Sequence, residues 1–356
     1  MRKNASIFKY GGIFVLRTHH QNYRDSKEFK SIHQQVKLLE SRGVTFNDYG
    51  KAKKYLLTNN YYNVINGYGN YFFDSSGNYL SGTTFEEIVK VNFYDKEIKY
   101  VFFKSIIDIE RHLKSIVAFV FARKYKKNHK FYEAYSDINS YSFNFNNVKP
   151  SNVSKQINDV KYFINQSSKL VRNKKNEKNN NPIKHYLKKA GGVPIWVIID
   201  YLTFGELLIL LRYQDDSFNN EVANRFCTFI TDHFSPSSHP FTSEIMISFL
   251  ENIVEVRNIC AHNNRLYNFK CRENTKYYVP LHSAYSITNR QPRSSIYNTF
   301  ITMQCFLTKT EFKTLHNSLI NRFRSLDNNL TTISIDKLLK SLGFPDDWHI
   351  ITPKIV

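Results

Sequence analysis

The chain has 356 residues, with fifty Lys and Arg against thirty Asp and Glu, which gives a formal net charge of +20 and a pI near 9.6. A surface that basic calls for a polyanionic partner, and the many Tyr (24) and Phe (29) supply rings able to stack on unpaired bases. Scarce Gly (12) and Pro (9) argue against a turn-rich β-protein, and no apolar run approaches the roughly 20 residues that span a bilayer.

Lys, Asn, Ile, Tyr and Phe rise together in AT-rich genomes, so the net charge is a firmer pointer to RNA than the ring content. The four cysteines, Cys227, Cys260, Cys271 and Cys305, form no C-x-x-C pair, and no His cluster completes a zinc set. Free thiols fit a reducing compartment. The expectation is a cytoplasmic, all-α protein without a membrane segment, a metal or another cofactor.

Residues 1–30 are basic and are expected to be partly flexible. A first helix reads from Ser31 to a stop at Gly43, with Ile32, Val36 and Leu39 at helical spacing. A second runs from about Asp48 to Leu57. The aromatic, Asn- and Gly-rich stretch 61–73 reads as a turn or a short extended segment, which closes an N-terminal block over 31–82. Its Gly67-Tyr68-Gly69 lacks the third glycine and helix start of a dinucleotide fingerprint. The run Thr83-Thr84-Phe85-Glu86-Glu87 opens the next element with a capping-box pattern. Apolar residues from Tyr100 to Val120 at three- and four-residue steps then predict a long helix over about 85–127, the centre of a bundle over 83–345.

That helix ends in a basic cluster containing Arg123, Lys124, Lys126, Lys127 and His129. A polar, basic insert is expected over about 136–190. Its second part, 169–190, holds eight Lys or Arg, among them Arg172, Lys174, Lys175, Lys188 and Lys189, against one Glu. It reads either as a solvated linker or as a loop that orders on RNA. Helices are expected over about 195–213, where Trp196 and Phe204 read as core, and over 217–230. A further helix, capped by Thr242 or Ser243, is expected to continue to about Leu266. Two more are expected near 309–324 and 334–342, the last stopped at Gly343.

The helix after Thr242 carries Arg257-Asn258-Ile259-Cys260-Ala261-His262. Asn258 and His262, four residues apart, share a face within about 40°, and Arg265 joins the same face three residues later. An imidazole, an amide and arginines on one surface suit RNA cleavage by attack of the ribose 2′-OH on the adjacent phosphorus. His262 would transfer a proton, Arg257 would hold the phosphoryl oxygens, Asn258 would orient, and no metal is demanded. With sixteen Arg and twelve His in the chain, about half an Arg-x4-His match arises by chance, so the bare motif fits equally a surface helix end with a His near the dipole.

The stretch RNICAHNNRLYN resembles the R-N-x-x-x-H-x-x-R-L-[WY]-N signature of Abi-like (AbiD/AbiF) abortive-infection proteins. HQQVKLLESRGV with AKKYLLTNNYYNVINGYGNYF, the central FEEIVKVNFYDKEIKYVFFKSIIDIERHLKSIVAFVFARKY, VPIWVIIDYLTFGELLIL and LGFPDDW are similar, in order, to further blocks of that family. The resemblance implies a HEPN-type helical bundle whose Arg-x4–6-His motif is an endoribonuclease site. It falls on Arg257, Asn258 and His262 as catalytic residues.

The family's central acidic residue falls on Glu110, which also reads as a simple pair with Lys114. Arg123 to His129 is a looser match that lacks the polar neighbour. One strict motif per chain implies a homodimer or a second HEPN partner. The resemblance also implies a small structured non-coding RNA as a bound partner. Residues expected to contact RNA are Arg265, Lys124, Lys126, Lys127, Arg172, Lys174, Lys175, Lys188 and Lys189. The alternative is a phage-defence ribonucleoprotein component that binds RNA without cutting it.

Overall fold

The computed structural model describes residues 29–126, 131–143, 149–235 and 237–356. Expectations for residues 1–28, Lys127 and His129 lie outside the described residues. Helices carry the whole architecture. Among the described residues β-structure is limited to three isolated bridges, Thr45 with Thr84, Phe73 with Tyr79 and Lys270 with Ser295.

The N-terminal block holds α1 (Ile32–Ser41) and α2 (Tyr49–Thr58). Ser31 and Gln34 cap α1 reciprocally, and Gly43, at φ +92°, takes the left-handed turn that ends it. The segment expected as a turn or strand is instead helical. A π-turn over Tyr62–Asn66 leads into a 3-10 turn over Gly69–Phe72 and buries Val64, Ile65, Tyr71 and Phe72. At Gly69 a Cβ would come within 2.8 Å of the Tyr79 hydroxyl, so this close approach requires glycine.

Helix α3 (Phe85–Tyr125) is the axis of the molecule. Ile88, Val91, Ile98, Phe102, Ile106, Ile109, Leu113, Val117 and Val120 recur at helical steps and are buried. The cap is Thr84, whose hydroxyl accepts from Glu87 N at 3.1 Å. No reciprocal capping-box bond forms, because both glutamates serve other segments. Glu86 accepts from Asn47 N and Asp48 N, and Glu87 accepts from Thr331 N at 2.9 Å and Thr332 N at 2.8 Å.

The basic insert differs most from expectation. It forms two helices, α4 (Pro150–Asn176) and α5 (Pro182–Ala190), in place of a linker or loop. Pro sits at the first position of each, Asn181 caps α5, and Gly191 closes it in the left-handed region. Val160 and Phe163 are fully buried, so α4 is held by packing despite its polar composition.

The span expected as one helix over 195–213 is broken into α6 (Ile195–Ile198), a 3-10 turn and α7 (Phe204–Arg212), which starts at a Thr203–Glu206 capping box. Then come α8 (Asp216–His233), α9 (Ser243–Ala261), α10 (Val279–Ala284), α11 (Ile296–Thr302), α12 (Lys309–Asp327), α13 (Asp336–Leu342) and α14 (Trp348–Ile351). Helices α6, α8, α9 and α12 all pack along α3 around one core that runs from Val36 to Trp348. No helix among the described residues is long and apolar enough to cross a membrane.

One face of α3 is left uncovered. Phe93, Tyr100 and Ile107 lie on it at seven-residue spacing, all well exposed.

Candidate functional site

Helix α9 starts at Thr242, whose hydroxyl accepts from Ile245 N, and buries Met246, Phe249, Leu250, Ile253 and Val256. It ends at Ala261, five residues earlier than its apolar pattern suggests, with His262 as C-cap. Asn263 then takes φ +52°. Its N–H donates to Cys260 O (3.2 Å), and Asn264 N donates to Ile259 O (3.0 Å). These two bonds form a Schellman stop with Asn where Gly is usual.

The stop is enforced from α3. Asp95 and Lys99, both fully buried, pair at 2.9 Å. Lys99 Nζ also donates to Asn263 Oδ1 (2.8 Å) and Asn264 O (3.0 Å). Asp95 accepts from Leu266 N (3.1 Å) and from the Tyr68 hydroxyl (2.9 Å). Tyr267 is buried edge-on between Tyr68 and Tyr71, and Asn268, at φ +62°, donates from Nδ2 to the Tyr71 hydroxyl. The residues that follow His262 therefore bind the chain to itself. The available sequence signal was the Asp95–Lys99 pair at four-residue spacing on a face that Val91, Ile98 and Phe102 mark as buried, where a charge needs partners.

Arg257, Asn258 and His262 come together at the exposed end of α9. Arg257 lies over the Phe103 ring (5.9 Å to its centroid), and its Nη1 reaches Asn258 Oδ1 at 3.4 Å. Among the described residues no carboxylate pairs with Arg257, so its guanidinium is available to an anion. Arg265 does not join the face of His262 as expected. The turn at Asn263 carries it away, and its Nη1 donates to Gly67 O.

Arg257 lines a groove of about 1010 Å³ along α3 together with Phe103, Phe119, Arg123, Lys126 and Trp196. Trp196, expected in the core, is 41% exposed here, whereas Phe204 is buried as expected. Glu110 lies in the same groove and pairs with Lys114 at 2.8 Å. Cys260, within the motif, has its thiol pushed up to about 12, first by burial, with Asp95 adding to the shift and Lys99 opposing it.

The remaining basic residues divide by what they already bind. Lys124 is held by Asp215 (2.8 Å) and Gln214, and Lys174 by Glu177 (2.6 Å). Lys126 faces the Arg257 groove. Arg172 and Lys175 line a separate groove between α4 and the 3-10 turns at 131–140, and Lys188 and Lys189 are exposed on α5. Among the described residues no group of three or more His, Cys, Asp or Glu is placed to hold a metal ion.

A family model described as Abi-like protein matches residues 54–268, more than half of the chain. The match runs from α2 through α9 and ends at Asn268, directly after the motif and its anchored turn. No curated protein and no solved structure matches the chain.

Proposed function

We propose a ribonuclease function for this chain, which belongs to the Abi-like protein family. In this reading it acts in abortive infection, cutting host or phage RNA once infection releases it from restraint. The observation that carries the proposal is the end of α9, where an arginine without an acidic partner, itself on the wall of a groove of mixed apolar and charged residues, is joined by an exposed amide and an exposed imidazole.

An RNA phosphate sits against Arg257, held by paired N–H donors that also stabilise the phosphorane oxygens. The ribose 2′-oxygen attacks phosphorus and gives up its proton to an imidazole, His262. The P–O5′ bond breaks and O5′ takes its proton from a second, protonated imidazole, leaving a 2′,3′-cyclic phosphate and a 5′-hydroxyl. The step needs no metal. A HEPN-type arrangement supplies the second imidazole from a second copy of the chain, and the exposed Phe93–Tyr100–Ile107 stripe on α3, continuous with the groove at Arg257, is the surface on which that copy docks. The basic surfaces of α4 and α5 would hold a structured non-coding RNA.

One observation favours the alternative, an RNA-binding component that does not cut. Among the described residues nothing orients the His262 ring, and Asn258 bonds Arg257 instead. The test is cleavage of mixed RNAs in EDTA by wild type and His262→Ala. Cleavage that survives EDTA, leaves cyclic phosphate ends and vanishes in the variant supports the enzyme. Tight RNA binding without cleavage, before and after removal of co-purified RNA, would replace it with the binding component.

A further inference from the structure

A third cavity, of about 480 Å³, is lined in part by the anchored turn itself. Its walls come from three separate segments: the π-turn region 58–68, the Asn92–Lys99 stretch of α3, and Asn263–Arg265 directly after His262. No Asp or Glu lines it, while Lys96, Lys99 and Arg265 do. Lys99 is spent on Asp95 and the turn, but Lys96 Nζ has one neutral contact, Asn59 Oδ1 at 3.3 Å, and keeps donors to spare.

Asparagines dominate the remainder: Asn59, Asn60, Asn63 and Asn66 from the first block, Asn92 from α3, and Asn263 and Asn264. Among the described residues the side chains of Asn63, Asn66 and Asn264 have no hydrogen-bond partner, so each offers both a donor and an acceptor. Tyr62, the first residue of the π-turn, also lines the cavity and is 68% exposed.

We infer that this cavity binds one unpaired nucleotide of the RNA strand next to the scissile phosphate. Tyr62 stacks on the base, the free amides read its edge, and Lys96 with Arg265 attracts its phosphate. The inference rests on the ribonuclease reading and adds to it a base preference at the flanking position. Paired RNA is disfavoured, because a base in a helix must first be unpaired and unstacked to enter.

The test uses full-length protein carrying His262→Ala and a short single-stranded RNA of mixed sequence containing one 4-thiouridine. Ultraviolet cross-linking followed by peptide mapping should place the adduct in residues 58–67. In the same background, Tyr62→Ala should weaken binding roughly five- to a hundredfold, and Tyr62→Phe should bind like its parent, because stacking needs only the ring. Tyr62 and Asn66 are exposed, so substitution there leaves the fold intact. With His262 intact, Asn66→Ala should change the base preference of the cut. RNA binding with cross-links only elsewhere, and unchanged by Tyr62→Ala, overturns the cavity assignment and leaves the ribonuclease reading standing. Saturation of the cavity by a free nucleoside monophosphate, with no RNA cross-link in it, also overturns the assignment. Failure of the wild-type chain to bind any RNA overturns both.

Discussion

Asp95→Asn tests the argument that a buried pair on α3 sets the end of the motif helix. The substitution removes a charge and little volume. It leaves the Lys99 ammonium, with 4% of its side chain exposed, facing a neutral amide. Removing one partner of a buried ion pair costs roughly 3–5 kcal/mol, because the other charge stays desolvated. The amide oxygen can accept at most two hydrogen bonds, but Asp95 now accepts from Lys99, Leu266 N and Tyr68, so at least one donor is left short. Against a total stability of about 5–15 kcal/mol this is a large fraction, and the melting temperature should fall by roughly 4–7 °C. The assay is thermal and urea unfolding followed by circular dichroism, for wild type, Asp95→Asn, and Asp95→Asn with Lys99→Met. The double variant removes the stranded charge and should recover about 1–3 kcal/mol. Asp95→Asn melting within about 1 °C of wild type, a shift that corresponds to less than about 1 kcal/mol, or a double variant no more stable than the single, would refute the reasoning.

Three further outcomes are expected. Arg257→Ala should lower RNA cleavage roughly 100- to 1000-fold with little change in melting temperature, since it removes a phosphate-stabilising donor from a half-exposed site; an active variant, or one that unfolds, contradicts its assignment. Tyr100→Glu and Ile107→Glu, at positions 68% and 50% exposed, should leave helicity unchanged and convert a dimer to a monomer in light scattering; a wild type that is monomeric at working concentration, or a dimer that persists, excludes the α3 stripe as the docking face. Burial raises the thiols of Cys260 and Cys271 to about 12 and shifts Cys227 and Cys305 upward as well, so little thiolate forms at pH 8 and alkylation of the native chain should be slow, becoming fast only after unfolding.

Much of the fold was legible because its signals are local. The helical steps through Ile109, Leu113 and Val120, the cap at Thr242 and the stop at Gly343 need only neighbouring residues to be read, although Tyr100, Ile107 and Phe119 of the same pattern lie exposed. Helices α4 and α5 escaped because Lys and Asn outnumber the few apolar residues, and the packing of Val160 and Phe163 is not visible in composition. The placement of Arg257, Asn258 and His262 at one helix end was readable from spacing. The fate of Arg265 was not. Its departure depends on the left-handed turn at Asn263, and that turn is selected by Lys99, which is remote in sequence. Trp196 was misassigned for a related reason: the break after Ile198 ends the short α6 and leaves its ring on the groove wall.

The contact between Lys99 and the Asn263–Asn264 turn bears on how such a site can be moved. Residues 257–262 transplanted onto another helix would bring the side chains but not the stop that presents them, and the helix would run on through Asn263. A portable unit has to include the middle of α3 with its buried pair, so the two segments would have to be exchanged as one block. In a chimaera of two relatives, a crossover between Lys99 and Asn263 would split that unit, and loss of the presented imidazole would then precede any loss of the core.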